Sequence, residues 1–383
     1  MEQLILSLLS VGIFALTLFV LGTVSAKTQP ALHVERPFSN TKMDGAMVLS
    51  VLFFALICGV RYRYGADCES YAAGMENIAR GTGRDMEILY VWLTKALYFA
   101  GLGRVVYMGT LAAIQGFLMW SAFKTRRFLL PYVGLVLILG PFFGEWNNGI
   151  RQIIAGLFFF YAMIRLIDEK KILPYVVLII AASLFHKSAI VLLAFIPLMK
   201  YDYIPNRYLA LGLLAFCLFV GESSLLDQAL WYGEQMLAQL GYHNYSGDYE
   251  QLMGRGSSIS HFGPRQLTLL ATHIMIIWFS PAVYAFNKRD KAFSVCYLMT
   301  LVYACSSQLL MSKSYLFSRP LLYLLPFVLM STAYLLDYLK RGEKQKIFFY
   351  IALVVTCSFT VLAAVANAGA MSETAIYKFI FLQ

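Results

Sequence analysis

Two arginines stand two residues apart in Arg61-Tyr62-Arg63-Tyr64-Gly65-Ala66-Asp67, and Tyr71 follows four residues later. On an extended segment such a pair shares a face, and two guanidinium forks on one face can grip a diphosphate bidentately. Asp67 then lies near them, as a proton acceptor or as the cap of a following helix. The bland alternative is that both arginines snorkel to lipid headgroups.

A second cluster, Glu145-Trp146-Asn147-Asn148-Gly149-Ile150-Arg151-Gln152, opens an apolar run that reads as a helix. The free amides of a helix N-terminus favour an anion, and an Arg in that first turn opposes the macrodipole unless an anion joins it. Phe185-His186-Lys187-Ser188 sits at the tip of a tight hairpin, where a histidine either accepts a proton near neutral pH or closes the turn through a carbonyl. The segment 221–266 is the one long polar insertion. Its hydroxyls, amides and aromatic faces, with Tyr245 and Arg255 among them, form a surface type that binds sugars, and Arg265 closes it. Finally Arg319 precedes Pro320 at the start of another apolar run, so again an Arg meets a helix N-terminus.

Absences narrow the chemistry. The chain has no Gly-x-x-x-x-Gly-Lys-Ser/Thr phosphate loop, no His-Glu-x-x-His and no Asp-x-Asp pair, so ATP-driven and metal-dependent reactions find no support in it. Five of the six cysteines (Cys58, Cys217, Cys296, Cys305 and Cys357) lie inside apolar runs without CxxC spacing and read as small buried hydrophobes.

The elements that must position these residues are membrane helices. Of 383 residues, 60% are apolar and 14% charged, with mean hydropathy +0.66, whereas a soluble domain carries about 25% charged residues. Apolar stretches recur from end to end, so residues 1–383 form a single transmembrane domain of an all-α polytopic protein. We expect about 12 transmembrane helices, at 4–24, 46–60, 105–123, 128–143, 151–167, 172–185, 187–199, 208–220, 267–286, 292–311, 320–338 and 347–368. Segments 172–185 and 187–199 are short and read equally well as a hairpin. The first run ends on Val24-Ser25-Ala26 like a signal peptide, but Met1-Glu2-Gln3 carries no positive charge, so it reads as a retained span with its N-terminus outside. Segment 87–101, amphipathic and interrupted by Glu87 and Lys95, is expected to lie along the membrane surface, within an outer-face loop 61–104 with juxtamembrane helices.

Charge then gives orientation. A net charge of +10 would suggest nucleic acid in a soluble protein; in a membrane protein it first suggests basic cytoplasmic loops. With these spans, connections 25–45, 124–127, 165–171, 200–207, 287–291 and 340–346 fall on one side and hold more than half of the 31 Lys and Arg residues. That side is expected to be cytoplasmic. Arg61, Arg63, Arg151, Arg255, Arg265 and Arg319 map to the other side, where no orientation rule requires them and desolvation makes them costly.

The order Arg61…Gly65-x-Asp67…Tyr71, then Asn148-x-x-Arg151-Gln152-x-x-Ala155, then Phe185-His186-x-Ser188 resembles the EpsG family of polysaccharide-synthesis membrane proteins, similar in role to Wzy-type O-antigen and capsule polymerases. The resemblance is clearest over residues 45 to 200. Gly65-Ala66-Asp67 stands where such proteins usually have Gly-Thr-Asp, a departure that keeps the carboxylate. Arg265-Gln266 matches no motif of the family.

The resemblance implies a GT-C-like glycosyltransferase fold with periplasmic loops and juxtamembrane helices in the bacterial inner membrane, with the active site facing the periplasm or outer leaflet. It implies joining of oligosaccharide repeat units carried on undecaprenyl diphosphate: the growing glycan is the donor, and the incoming lipid-linked unit supplies the attacking hydroxyl. Expected partners are these lipid-linked glycans, membrane lipid and a chain-length regulator, with no nucleic acid, cofactor or metal. In that reaction Arg61, Arg63, Arg151, Arg319 and Arg265 would hold the diphosphate, and Tyr71, Asn148, Gln152, Arg255 and Tyr245 the rest of the substrate. His186 is the preferred base, with Asp67 as the other candidate or as the group that orients His186 or the acceptor sugar. The competing readings are an O-antigen ligase-like transferase, a lipid-linked sugar flippase or exporter, and a membrane acyltransferase.

Overall fold

The computed structural model describes residues 2–29, 38–65, 67–82, 86–224, 263–310, 319–342, 345–368 and 376–381, with a few isolated positions between 226 and 236. These residues form an all-α membrane protein. The helices are α1 (Glu2–Thr28), α2 (Gly45–Gly59), α3 (Cys68–Ala79), α4 (Ile88–Phe99), α5 (Arg104–Ala122), α6 (Leu130–Leu139), α7 (Phe142–Asn148), α8 (Ile150–Glu169), α9 (Ile172–Ser183), α10 (Arg207–Gly221), α11 (Pro264–Phe286), α12 (Lys291–Leu310), α13 (Leu325–Arg341) and α14 (Lys346–Ala368). Four 3-10 segments, Phe38–Asn40, Arg127–Leu129, Lys187–Lys200 and Arg319–Leu324, complete the described order.

Each of the twelve expected ranges contains a helix, but they are not equivalent. Seven are long and apolar enough to cross a membrane, or eight if the pair Arg127–Leu139 and Phe142–Asn148, bent by 67°, is one broken span. The remaining four are shorter. A 12-residue α-helix such as α9 rises about 18 Å against a hydrocarbon core of about 30 Å. It doubles back through the 3-10 segment: the Tyr175 hydroxyl donates to the Leu192 carbonyl at 2.6 Å, which clips the two arms into a hairpin. Segment 87–101 contains only the 12-residue α4.

The helices carry their apolar surface outward as well as inward. On α1, Val11, Phe14, Ala15, Leu18 and Gly22 recur at helical spacing and are buried, while Leu9, Ile13, Leu16 and Val20 on the other face are exposed. Only lipid is a suitable solvent for that second face. Without a hydrophobic drive between helices in lipid, close backbone approach holds them together. A Cβ on Gly22 would lie 2.5 Å from the Leu130 carbonyl oxygen, and one on Gly134 would lie 2.7 Å from the Leu18 Cβ, so α1 and α6 meet through glycines. α8, α12 and α13 are the most buried long helices and form the centre.

The six basic connections meet at one end of the bundle. Gln29 donates to the Thr125 carbonyl at 3.0 Å, and Arg127 reaches Asp44 at 2.9 Å and the Lys42 carbonyl at 2.6 Å. Arg126 joins Asp168 to Asp290, Lys291 pairs with Asp202 at 3.5 Å, and the Arg341 guanidinium lies 5.4 Å from the Phe128 ring centre. Grouping these loops on one side was the basis of the orientation argument, and the fold joins them physically.

Candidate active site

At the opposite end, α3 and α4 lie over the start of α8 on a small core of their own, in which Cys68, Met75, Ile78, Tyr90, Tyr107, Leu111, Ile150 and Phe185 are buried. Polar ties fix the layer: the Tyr90 and Tyr107 hydroxyls are 2.6 Å apart, Arg104 at the head of α5 pairs with Glu69 on α3 at 2.6 Å, and the Leu89 amide donates to the Leu184 carbonyl at 3.1 Å. Gly65 leads into α3 with φ +91°, and a Cβ there would stand 2.9 Å from both the Asn147 carbonyl and the Asn148 Oδ1. Only glycine meets both demands, and it seats Asp67 beside the α7–α8 junction.

Between these elements is a cleft of about 310 Å³, lined by Asp67, Ser70 and Tyr71 of the α3 region, Met86 and Tyr90 near α4, Gly149, Arg151 and Gln152 at the start of α8, His186 at the hairpin tip, and Arg319 and Leu322. Six nominated residues are thus brought together: Asp67, Tyr71, Arg151, Gln152, His186 and Arg319. They come from parts of the chain that are far apart in sequence.

Each is held by identifiable contacts. The Arg151 amide donates to the Tyr71 hydroxyl at 3.4 Å, and its guanidinium lies 5.4 Å from the centre of the Tyr90 ring. The Gln152 side-chain amide donates to the Arg319 carbonyl at 2.7 Å, tying α8 to the turn before α13. Asp67 occupies the N-cap position of α3 but its side chain makes no cap hydrogen bond, so its carboxylate is not consumed by capping. His186 is an extended residue, φ −155° and ψ 109°, between α9 and the 3-10 arm. Next to it the Ser188 and Tyr323 hydroxyls are 2.8 Å apart.

One residue of the site escaped the sequence reading. Glu87, at the N-cap position of α4, sends Oε2 to Arg151 Nη1 and lies with Oε1 3.2 Å from His186 Nδ1 and 3.2 Å from the Lys187 amide nitrogen. The histidine contact is one of charge and proximity more than of aligned hydrogen-bond geometry. Burial alone would raise the Glu87 pKa, but the His186 contact, the Arg151 charge and the Lys187 amide outweigh it and hold the carboxyl at about 2. In the sequence this glutamate looks like a polar interruption of a surface helix.

Other nominated residues lie elsewhere. Arg61 and Arg63 do not share a face. Arg61 is buried, donates to the Cys58 carbonyl at 2.7 Å and is bridged to Phe379, while Arg63 is exposed and stacks 5.1 Å from the Tyr62 ring. The reason is local: Arg63 has φ +53°, so the backbone is not the extended run that the spacing argument assumed. Neither lines the cleft. Arg265 lies in the first turn of α11 with Glu145 as its electrostatic neighbour and is not among the residues that line the cleft. Asn148 packs against Gly65, with its Oδ1 buried. Asp67 is not the carboxylate against His186; Glu87 is. Arg255 and Tyr245 lie outside the described residues, as does most of the polar insertion 221–266.

A family model, EpsG family, matches residues 46–380. The chain belongs to the EpsG family. The match extends well past residue 200, where the motifs become hard to follow by eye, and takes in every element of the cleft, including Arg319. No curated protein matches the chain, and no solved structure does either. EpsG membership makes this a membrane protein of polysaccharide-polymerase-like kind. Among the described residues no group of three or more His, Cys, Asp or Glu is placed to hold a metal ion.

Proposed function

We propose that this EpsG protein is a glycosyltransferase that polymerises undecaprenyl-diphosphate-linked oligosaccharide repeat units into a surface polysaccharide. The observation that carries the proposal is the cleft in which Arg151 and Arg319 stand with Asp67 and His186 at the end of the bundle away from the basic loops. By the positive-inside rule that end faces the periplasm in an inner membrane, where lipid-linked units are available after export.

The chemistry is a single displacement. The acceptor hydroxyl oxygen attacks the anomeric carbon of the growing glycan; the bond from that carbon to the diphosphate oxygen breaks, and its electron pair leaves with the lipid diphosphate. The hydroxyl proton passes to His186 Nε2. Backside attack inverts the anomeric centre. The diphosphate is already a good leaving group, so fixed guanidinium groups suffice to hold its developing charge. Asp67, with an uncommitted carboxylate across the cleft, binds the acceptor sugar's hydroxyls. A GT-C-like arrangement is consistent with short helices α3 and α4 laid over the ends of long ones.

A flippase or exporter would carry charges through the depth of its spans. In the described long helices, Asp, Glu, Lys and Arg stand near one end or the other. The deciding experiment supplies purified protein with a lipid-linked repeat unit and looks for a ladder of longer glycans. A ladder that persists in chelator is expected; no ladder from a correct unit overturns the proposal.

A further inference from the structure

Among the described residues, the titratable or charged groups that surround the His186 ring or share its cleft are Glu87 at the cap of α4, Tyr90 on α4, Arg151 on α8, Asp67 and Tyr71 at α3, and Arg319 and Tyr323 before α13. Among the described residues it is Glu87 that approaches a ring nitrogen, with Oε1 3.2 Å from Nδ1. Nδ1 is buried on the Glu87 side, which leaves Nε2 as the nitrogen presented to the cleft. An ionised carboxylate can only accept, so a neutral imidazole beside it carries its proton on Nδ1 and keeps the lone pair on Nε2. The other oxygen of the same carboxylate accepts from Arg151 Nη1, whose guanidinium is backed by the Tyr90 ring. The Lys187 amide adds a donor to Oε1 and ties the carboxylate to the hairpin tip that carries His186.

The geometry points to Glu87 as a positioning residue that holds two parts of the reaction in register: Oε1 sets the tautomer and direction of the proton acceptor His186, and Oε2 sets the guanidinium of Arg151 that meets the leaving diphosphate. This deepens the proposed glycosyl transfer and rests on it for the roles of His186 and Arg151. One carboxylate spanning both groups explains why a glutamate is placed at the N-terminal end of α4. It does not cap that helix, since its side chain makes no cap hydrogen bond. A glutamine could not replace it, because the amide would present donors to Arg151 or to His186 in place of an acceptor. An aspartate keeps the charge on a shorter stem.

Two measurements test this. In the polymerisation assay, Glu87→Gln should lower kcat about 10²-fold, the scale of losing an oriented general base. Glu87→Asp should recover most of the rate. Wild-type kcat in Glu87→Gln overturns the inference. The second measurement needs neither substitution at 87 nor activity: 15N shifts of the histidines in the detergent-solubilised protein, with His186 assigned by the signal lost in His186→Gln. An Nδ1–H tautomer is expected, and an Nε2–H tautomer overturns the inference even if Glu87→Gln does not fold. A correct tautomer with no glycan ladder from the wild type sinks the polymerase reading alone.

Discussion

Arg126 grips Asp290 with two nitrogens, Nε to Oδ2 at 2.7 Å and Nη2 to Oδ1 at 2.9 Å, and spans to Asp168 with Nη1 and Nη2 at 3.0 and 2.9 Å. Tyr334 donates to the same Asp290. This closed network at the basic end accounts for a buried charge there: burial would raise the Asp290 pKa, and the Arg126 guanidinium, with hydrogen bonds from Arg126, Tyr334 and Ala292, brings it below the usual carboxylate range.

Removing one partner leaves the other buried and uncompensated, a loss of about 3–5 kcal/mol. Asp290→Asn or Arg126→Met should therefore lower the thermal unfolding midpoint in detergent markedly. Because the Asp290 carboxyl is depressed in the fold, its contribution is present above its unfolded pKa and lost as pH falls through the folded one. The same variants, assayed at low temperature, should retain glycan synthesis, since the network lies at the end remote from the cleft. Loss of activity without loss of stability would place this network in the reaction.

The contact between α1 and α6 makes a separate stability prediction. Gly22 has no room for a side chain, because the Leu130 backbone already occupies the Cβ position. Gly22→Leu must push the helices apart, at an overpacking cost of about 1–3 kcal/mol. A lower unfolding midpoint checks it; an unchanged midpoint shows that α1 moves away freely.

How much of this was legible in the sequence depends on which force placed each residue. Arg151 and Arg319 could be found because an arginine at a membrane boundary is costly and stands out against apolar runs. His186 stood out as the histidine at a hairpin tip. Arg61 and Arg63 misled because spacing describes a face only if the backbone is extended, and the left-handed turn at Arg63 turns one side chain inward and the other out. Glu87 was invisible as a site residue because its role comes from the packing of α4 against α8 and the hairpin tip, contacts between segments far apart in the chain. The short spans show a related ambiguity: apolar composition reports burial in lipid or protein alike, so residues 172–185 and 187–199 read as two crossings or as a hairpin, and the Tyr175–Leu192 clip gives the hairpin.

The depressed Glu87 carboxyl also fixes a pH window. Its folded pKa of about 2 lies below the ordinary 4.5, so the stability it supplies is complete above about pH 5 and is lost as pH falls towards 2. The unfolding midpoints of wild type and Glu87→Gln should converge as pH falls from about 5 towards 2. A difference that grows over that range would show the carboxyl is protonated in the fold.

Replacing Arg151 or Arg319 by Lys tests the diphosphate grip. Lysine keeps the charge but loses the planar fork, and the loss of a charge-assisted hydrogen bond of about 1.5–3 kcal/mol corresponds to roughly 10–100-fold in rate. Polymerisation rates at saturating lipid-linked unit should fall by that factor in each. Wild-type rates in both would mean that a simple positive charge, or no charge, is enough.

The two candidate bases separate in the last comparison. Glu87 Oε1 lies 3.2 Å from His186 Nδ1, whereas the Asp67 side chain makes no cap hydrogen bond and Asp67 lines the cleft wall from α3. If His186 takes the proton, His186→Ala loses about 10²–10⁴-fold in kcat, while Asp67→Asn, which keeps one acceptor oxygen, chiefly raises KM for the acceptor unit. Kinetics at varied acceptor concentration separate the two parameters. The reverse pattern, with kcat lost in Asp67→Asn and preserved in His186→Ala, would transfer the proton step to the carboxylate and leave the imidazole as a contact for the sugar.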